Sequence, residues 1–500
     1  MSAQPSSPMG APLVLFNSFT REAAPFTPID PAMVRMYSCG PTVYSFAHLG
    51  NLRAYVFTDT LRRVMEYKGY NVTHVINITD VGHLTSDADS GDDKMEAAAK
   101  KTGKSIWDIA AFYTDAFKQD IHRLNIKDPS RWSVATEHVD DMIHYAEKIA
   151  PEHCYTLDSG LYFDVSTLPE YGKLAGAATH DATPVESRID PVDGKRHPQD
   201  FAIWRASPKD EQRQMEWDSP WGKGAPGWHL ECSVMSMKYL GEQFDIHTGG
   251  IDHREIHHCN EIAQNQAFTG STKTGANYWM HNNFLVDRDG KMSKSKGGFS
   301  TLQSVIDRGI HPLAYRLFCI SAHYRSELEF SGDNVAAALT RLKRLVMGVS
   351  ALRDRAEGTI WQTYDRTALE AGLPAAAIDA LTRFDAAIAD DLMLPRALPL
   401  VEEVLSMKKI SVDDRLRAIA SMDLVLGLNL MTINRAGLRV RPADAQITED
   451  EINAILDQRK QARADKDYAE SDRLRDALAA KGVEVMDGDP LGWDWALHLG

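Results

Sequence analysis

Residues 34–79 read VRMYSCGPTVYSFAHLGNLRAYVFTDTLRRVMEYKGYNVTHVINIT. The first six residues form a short apolar run that ends at the turn-forming pair Gly40-Pro41. A helical pattern follows through AYVFTDTLRRVMEYKGY, and NVTHVINIT (71–79) then reads as a second strand. Strand, helix and strand at this spacing make a βαβ unit, which implies a parallel sheet. Ligands of such sheets bind beyond the C-terminal strand ends. The loops after Cys39 and Thr79 are therefore the places to look for a site.

Working outward, the 500-residue chain has room for three or four domains. With 43% hydrophobic and 25% charged residues, its composition is that of a soluble globular protein. No apolar run approaches the ~20 residues of a membrane span. The N-terminal stretch lacks the basic region of a signal peptide and the arginines of a transit peptide. Cys39, Cys154, Cys232, Cys259 and Cys319 are few and scattered. That is no disulfide framework and fits a reducing cytosol. A net charge of −15 argues against nucleic acid as a partner of the whole surface, although a local basic face can coexist with it.

The acidic stretch SDADSGDDKM has the wrong glycine position for a calcium loop and reads as solvated surface. Residues 128–220 are polar and turn-rich, as expected of an insertion between two halves of a nucleotide fold. From about Ser331, Ala, Leu, Arg and Glu dominate to about 430, with breaks at Pro374 and Pro395, which reads as a helical bundle. The link RVRPADAQ (439–446) leads to a last unit, opened by a capping box from Thr448 to Glu451.

Three stretches hold chemistry-bearing residues. In EIHHCNEIAQ (255–264) the run 255–267 reads as one helix, so His257 and Glu261 project from one face while Cys259 points away. His253 and His257 are also four apart, but the order around them is not the H-E-x-x-H of a zinc hydrolase. Alone, this stretch reads as ordinary polar surface. The second is CGPTVYSFAHLGN (39–51), where His48, Gly50 and Asn51 open a helix whose amides can hold phosphate. Alone, it is a turn with a chance histidine. The third, VDRDGKMSKSKGGFS (286–300), sets Lys291, Lys294 and Lys296 among glycines and serines. Ammonium groups on a flexible loop suit a polyphosphate, but this is no Walker loop. Alone, it is a charged surface loop.

Together the second and third stretches resemble the class I aminoacyl-tRNA synthetases, which pair H-x-G-[HN] with a distant K-M-S-K-S. CGPTVY, NITD (77–80), GWHLECS (227–233), FDIHTGGID (244–252) and HHCNEIAQ (257–264) make the chain similar, in order and spacing, to the cysteinyl-tRNA synthetase family along essentially its whole length. Two positions depart from the pattern. Asn51 stands where most of the family has a second histidine, and Cys259 stands where Glu is usual.

The resemblance implies an α/β fold: a Rossmann-like parallel-sheet catalytic domain with an inserted connective domain, followed by a C-terminal α-helical bundle. The boundaries expected are 1–127 and 221–285 for the two catalytic halves, 128–220 for the insertion and 286–330 for the lysine loop and stem-contact region. The bundle would span 331–436 and a small helical domain 437–500. It also implies a cytoplasmic enzyme, expected to be a monomer, that joins L-cysteine to tRNA(Cys) with ATP through cysteinyl-adenylate. One zinc per chain would sit on Cys39, Cys232, His257 and Glu261, with Glu261 the weakest ligand. Zinc would capture the substrate as thiolate and so separate cysteine from serine, since a thiolate is a far better zinc ligand than a hydroxyl. His48, Gly50 and Asn51 would hold ATP phosphate, and Gly249, Gly250 and Asp252 the adenosine. Lys291 and Lys294 would stabilise charge on pyrophosphate, and Mg²⁺ would accompany ATP. Gly40, Thr79, Trp228 and His247 would line the amino-acid pocket. Arg435, Arg439, Arg441, Arg459, Lys460 and Arg463 would form a basic tRNA-facing side, with Trp493 and Trp495 either stacking on bases or packing the C-terminal tail. The related alternatives are a ligase that joins cysteine to an amino-sugar, which needs no anticodon-reading C-terminus, and a non-catalytic tRNA-binding paralogue.

Overall fold

The structure is a computed structural model, and it describes residues 9–81, 99, 103–176, 193–208, 213–287, 290–291 and 300–497. A hairpin of β1 (Val14–Asn17) and β2 (Glu22–Pro25) precedes the first βαβ unit. That unit is β3 (Val34–Ser38), α1 (Leu49–Tyr67) and β4 (Val72–Ile78), as the alternation of patterns predicts. Next come α2 (Ile106–Arg123), β5 (Arg131–Val134) and α3 (Val139–His153). An antiparallel sheet follows, made of β6 (Cys154–Leu157), β7 (Gly160–Phe163), β8 (Phe201–Ala206) and β9 (Gly224–Pro226). The chain then returns through α4 (Trp228–Leu240), β10 (Phe244–Gly250), α5 (Ile251–Glu255), α6 (His257–Thr269) and β11 (Ala276–Asn282).

The central sheet has the order β11-β10-β3-β4-β5, and every neighbouring pair is parallel. From β3 the chain winds one way to β4 and β5, and β10 and β11 wind the other way from it. Crossovers are right-handed, so opposite winding puts helices on both faces. The reversal falls between β3 and β10, and a crevice opens there at the carboxyl ends of the strands. The sheet also corrects a boundary. Its edge strand β5 lies inside 128–220, the stretch expected to be insertion, while β9 of the insertion's own sheet lies beyond it. β5 is only four residues with one buried side chain, too short for a periodic signal.

After β11 come β12 (Leu285–Asp287), β13 (Gly290–Lys291), α7 (Leu302–Ile306), α8 (Pro312–Ile320) and β14 (Leu328–Glu329). The bundle consists of α9 (Gly332–Arg353), the short α10 (Arg366–Glu370), α11 (Ala375–Ala389), α12 (Leu394–Ser406) and α13 (Val412–Leu426). Pro374 is the N-cap of α11 and Pro395 lies in the first turn of α12, where a missing N–H costs nothing.

The last unit is α14 (Glu449–Ala464) and α15 (Tyr468–Ala479) with a hairpin of β15 (Val483–Val485) and β16 (Trp493–Trp495). Thr448 and Glu451 form the expected capping box. The unit is not purely helical, however, and Trp493 and Trp495 are buried in its own small core with Ile447, Ile452, Leu478 and Val483. They pack the tail and do not present faces to bases. Arg435, Arg439 and Arg459 also turn inward. Arg435 is buried between Asp489 and Asp494, Arg439 lies over the Trp493 ring, and Arg459 pairs with Asp487. Arg441, Lys460 and Arg463 stay exposed.

Candidate active site at the sheet reversal

The loop after β3 is pinned to both neighbouring strands. Cys39 N–H donates to Thr248 O (3.2 Å), Thr79 N–H to Pro41 O (3.0 Å) and Val43 N–H to Thr79 O (3.1 Å). Gly40 is demanded by this approach, because a Cβ there would sit 1.5 Å from Asn77 O. Its N–H instead donates to Asn77 Oδ1 at 2.7 Å. The result is a cleft of about 370 Å³ lined by Cys39, Gly40, His48, Thr79, Trp228, Cys232, Gly249, Asp252 and His257, among others. Its walls thus come from both halves of the sheet.

At its floor, ligand-type atoms of Cys39, Cys232, His257 and Glu261 all lie within 4.8 Å of one another. The helix expected over 255–267 is broken at Ile256 (φ −121°, ψ −67°), but His257 and Glu261 both fall on α6 and keep their four-residue spacing. Glu261 Oε1 is 3.1 Å from His257 Nε2 but makes no well-aligned hydrogen bond among the described residues. A buried carboxylate oxygen left so is costly unless a cation meets it. The other oxygen, Oε2, is 2.9 Å from His247 Nε2 and so held in place. His257 Nδ1 is 2.9 Å from Nδ1 of His229, which burial keeps neutral with a pKa lowered to about 3. A neutral His229 can accept the His257 Nδ1 proton, and that tautomer would leave Nε2 as a lone-pair donor to the site. Burial also raises both thiols. For Cys39 burial is the largest cause; for Cys232 the hydrogen bond with Cys39 is the largest single influence and favours the thiolate, but burial together with the neighbouring Glu261 and Glu231 carboxylates outweighs it. Two sulfurs, an imidazole and a carboxylate are a donor set that suits zinc. Helical spacing sets His258 about a quarter-turn off the face of His257 and Glu261 and so outside the expected ligand set. With Cys39, His247 and Glu261, however, His258 forms a second such cluster, Nε2 being 3.4 Å from Cys39 Sγ. Cys259 points away, its thiol donating to Arg254 O.

His247 does not line the cleft. It is buried behind Glu261, stacked on Trp279 with ring centroids 4.6 Å apart. Trp228 is half-buried and forms a wall against His257, with centroids 4.2 Å apart. Thr79 accepts from Asn77 Nδ2 (3.0 Å) and donates to the buried Glu231 (2.9 Å). Gly249 leaves room for His258, whose ring would lie 2.7 Å from a Cβ, and Gly250 leaves room for Asp252.

At the other end His48 caps α1. Its Nδ1 accepts from Asn51 N–H (3.1 Å), and Asn51 Oδ1 accepts from His48 N–H (3.3 Å). The two residues form a reciprocal capping box, with the helix N-terminus opening into the cleft. Both flanks of the lysine loop lie beside it. Lys291 pairs with Val286 in the β12–β13 ladder, and Ser300 O accepts from Leu49 N–H (3.0 Å). Lys294 lies outside the described residues, as do the acidic stretch and the Lys291 side chain. Arg53, which no pattern marked, is buried in α1 and donates to the carbonyls of Asn283, Phe284 and Ser326, fixing the wall that leads to the loop.

Comparison with known proteins shows the family. Residues 25–340 match the family of tRNA synthetase class I (C) catalytic domains, and residues 448–490 match the cysteinyl-tRNA ligase anticodon binding domain. A cysteine–tRNA ligase of Zymomonas mobilis is 61% identical, over 97% of this chain and 98% of that one. That of Novosphingobium aromaticivorans is 59% identical, over 97% of each. Among solved structures, a methionyl-tRNA synthetase of Mycobacterium tuberculosis shares the fold with a TM-score of 0.53 at 14% identity. It covers 79% of this chain and 90% of its own.

Proposed function

The chain belongs to the cysteine–tRNA ligase family, and from that premise we propose how its cleft carries out the reaction. The enzyme activates cysteine with ATP and passes it to tRNA. The amino-sugar ligase and the non-catalytic paralogue fall away, since the likeness to cysteine–tRNA ligases spans 97% of the chain, anticodon-binding module included.

The observation that carries the mechanism is the convergence of two thiols, His257 and Glu261 on the floor of the cleft. Cys39, Cys232, His257 and Glu261 would hold zinc, which would supply a Lewis acid for the substrate sulfur. His229 and His247 orient the two α6 ligands from behind. Glu261, whose Oε2 is held by His247, would be the weakest of the four ligands. Gly40, Thr79 and Trp228 enclose the rest of the amino acid.

The cysteine carboxylate attacks the α-phosphate of ATP, and pyrophosphate leaves. The nucleophile is already ionised, so no general base is required and the protein's task is positioning and charge stabilisation. With Nδ1 of His48 accepting, its proton sits on Nε2, which donates to a phosphate oxygen. Asn51 spends Oδ1 on the capping box and keeps its amide N–H groups for phosphate, so asparagine serves where a second histidine is usual. Gly249, Gly250 and Asp252 receive the adenosine. Lys291 and Lys294 would stabilise charge on the departing pyrophosphate, and Mg²⁺ bound with ATP would share it. The terminal ribose hydroxyl of tRNA then attacks the cysteinyl carbonyl, the bond to phosphate breaks and AMP leaves. We read the enzyme as a monomer of the cytoplasm: one chain supplies the cleft and the anticodon module, and its five cysteines are all free.

ATP–pyrophosphate exchange with each amino acid in turn tests this reading. Cysteine alone should support exchange at a high rate. Equal exchange with serine would overturn the role given to the thiol-binding floor.

A further inference from the structure

At the mouth of the cleft, three aromatic rings meet on the surface. Phe46, two residues before His48, lies 5.9 Å from Phe112 and 5.1 Å from Tyr113, and Phe112 and Tyr113 are 5.1 Å apart. Every pair is edge-to-face, with interplanar angles of 73–88°. No two of the rings stack face to face. Phe46 remains 47% and Phe112 51% exposed. A cluster this open is unusual for groups that each bury 150–250 Å² when packed. Lys104 stands over Phe112 with Nζ 5.5 Å from the ring centre. On the same helix Asp108 accepts from Ser105, the N-cap of α2, and Asp115 stands one turn beyond Phe112. Phe46 and Tyr113 also line the cleft itself, so the cluster continues the wall past which any acceptor must enter.

Resting on the reading above, we infer that Phe46, Phe112 and Tyr113 form a stacking platform for the unpaired bases at the 3′ end of tRNA, with Lys104 against their phosphates. Open aromatic faces beside a cation are how proteins hold single-stranded RNA, since every base offers a π-face and every linkage a charge. The chemistry requires such a strand here. The terminal ribose must reach the adenylate within the cleft, so the preceding nucleotides must lie across its mouth.

Phe112 tests the platform, because it is surface-exposed and lies outside the cleft lining. Phe112→Ala should leave cysteine-dependent pyrophosphate exchange unchanged and lower kcat/KM for tRNA charging roughly tenfold or more, the usual effect of losing one stacked base. Phe112→Trp should restore charging. A tRNA carrying 2-aminopurine in place of the terminal adenine should show fluorescence quenching on the wild-type enzyme and less on Phe112→Ala. Charging unaffected by Phe112→Ala would overturn the platform. So would exchange and charging falling together, which would mark Phe112 as a packing residue of the cleft. Absence of exchange in the wild-type enzyme would instead count against the functional reading.

Discussion

At the residue scale, the floor of the cleft was half legible in the sequence. His257 and Glu261 could be paired from helical spacing alone, and they do converge. Cys39 and Cys232 came only from the family likeness, because nothing in either segment says which remote segment faces it. His229, His247 and His258 were beyond either route as supports. The contacts of His229 and His247 join α4 and β10 to α6, and that of His258 reaches Cys39, across gaps that no periodicity spans. The assignment predicts about one equivalent of zinc per chain. Cys232→Ser should lose both the metal and cysteine activation, whereas Cys259→Ala, altering a thiol that points away, should keep both. Metal analysis of purified protein reads the first effect and pyrophosphate exchange the second. Zinc retained at full stoichiometry in Cys232→Ser would remove Cys232 from the ligand set. For the lysine loop, Lys294→Ala should slow adenylate formation ~10²–10³-fold at saturating ATP, as loss of one charge-stabilising contact does. An unchanged pre-steady-state rate would exclude that role.

At the element scale, α1 joins the parts of the molecule. Its N-terminus faces the cleft, and its buried Asp59 pairs with Arg63 at 2.7 Å and Arg316 at 2.6 Å. Those arginines in turn donate to the carbonyls of Leu424 and Leu426 at the end of α13, tying the catalytic half to the bundle. The sequence shows only an amphipathic helix here, since the partners come from distant segments. Burial works against ionisation of Asp59, yet the two arginines more than offset it and hold its pKa at about 2. A folded pKa below the unfolded value contributes stability that is present above ~4 and is lost as pH falls toward 2. Asp59→Asn should destabilise by about 3–5 kcal/mol, because Arg316 is wholly buried and would keep an uncompensated charge. Denaturant unfolding at neutral pH measures this, and the gap between variant and wild type should narrow below pH 4. A loss under ~1 kcal/mol would show that the pair contributes no net stability. The break at Ile256 carries the opposite lesson about legibility. The run has no glycine or proline, yet packing of His257 against Trp228 and His229 overrides a favourable helix propensity.

At the scale of the whole molecule, the last unit is built to be separable. It has a hydrophobic core of its own and meets the rest through few buried ion pairs, chiefly Arg435 with Asp489 and Asp494, and Lys343 with Asp494. A chain ending at Ala443 keeps the bond from Ala443 N–H to Asp307 O (2.8 Å) and removes α14, α15 and the hairpin together. Arg435 then loses its carboxylates but gains water, so no charge is stranded. The cleft, the four proposed metal ligands and the lysine loop lie far upstream in the chain. Pyrophosphate exchange should therefore stay close to wild type. Charging should weaken mainly through KM for tRNA, because distant contacts that do not change in the transition state alter binding more than kcat. Each lost phosphate contact also means fewer counterions released on binding. The truncated enzyme's KM should thus rise less steeply with salt than the full chain's. Exposed Arg441, Lys460 and Arg463 are the residues positioned to make such contacts, and neutralising the last two in the full-length chain should reproduce part of the shallower slope. If the truncated chain charges tRNA with the same KM and the same salt dependence, the unit does not hold tRNA, and the affinity must arise from the bundle and the cleft mouth alone.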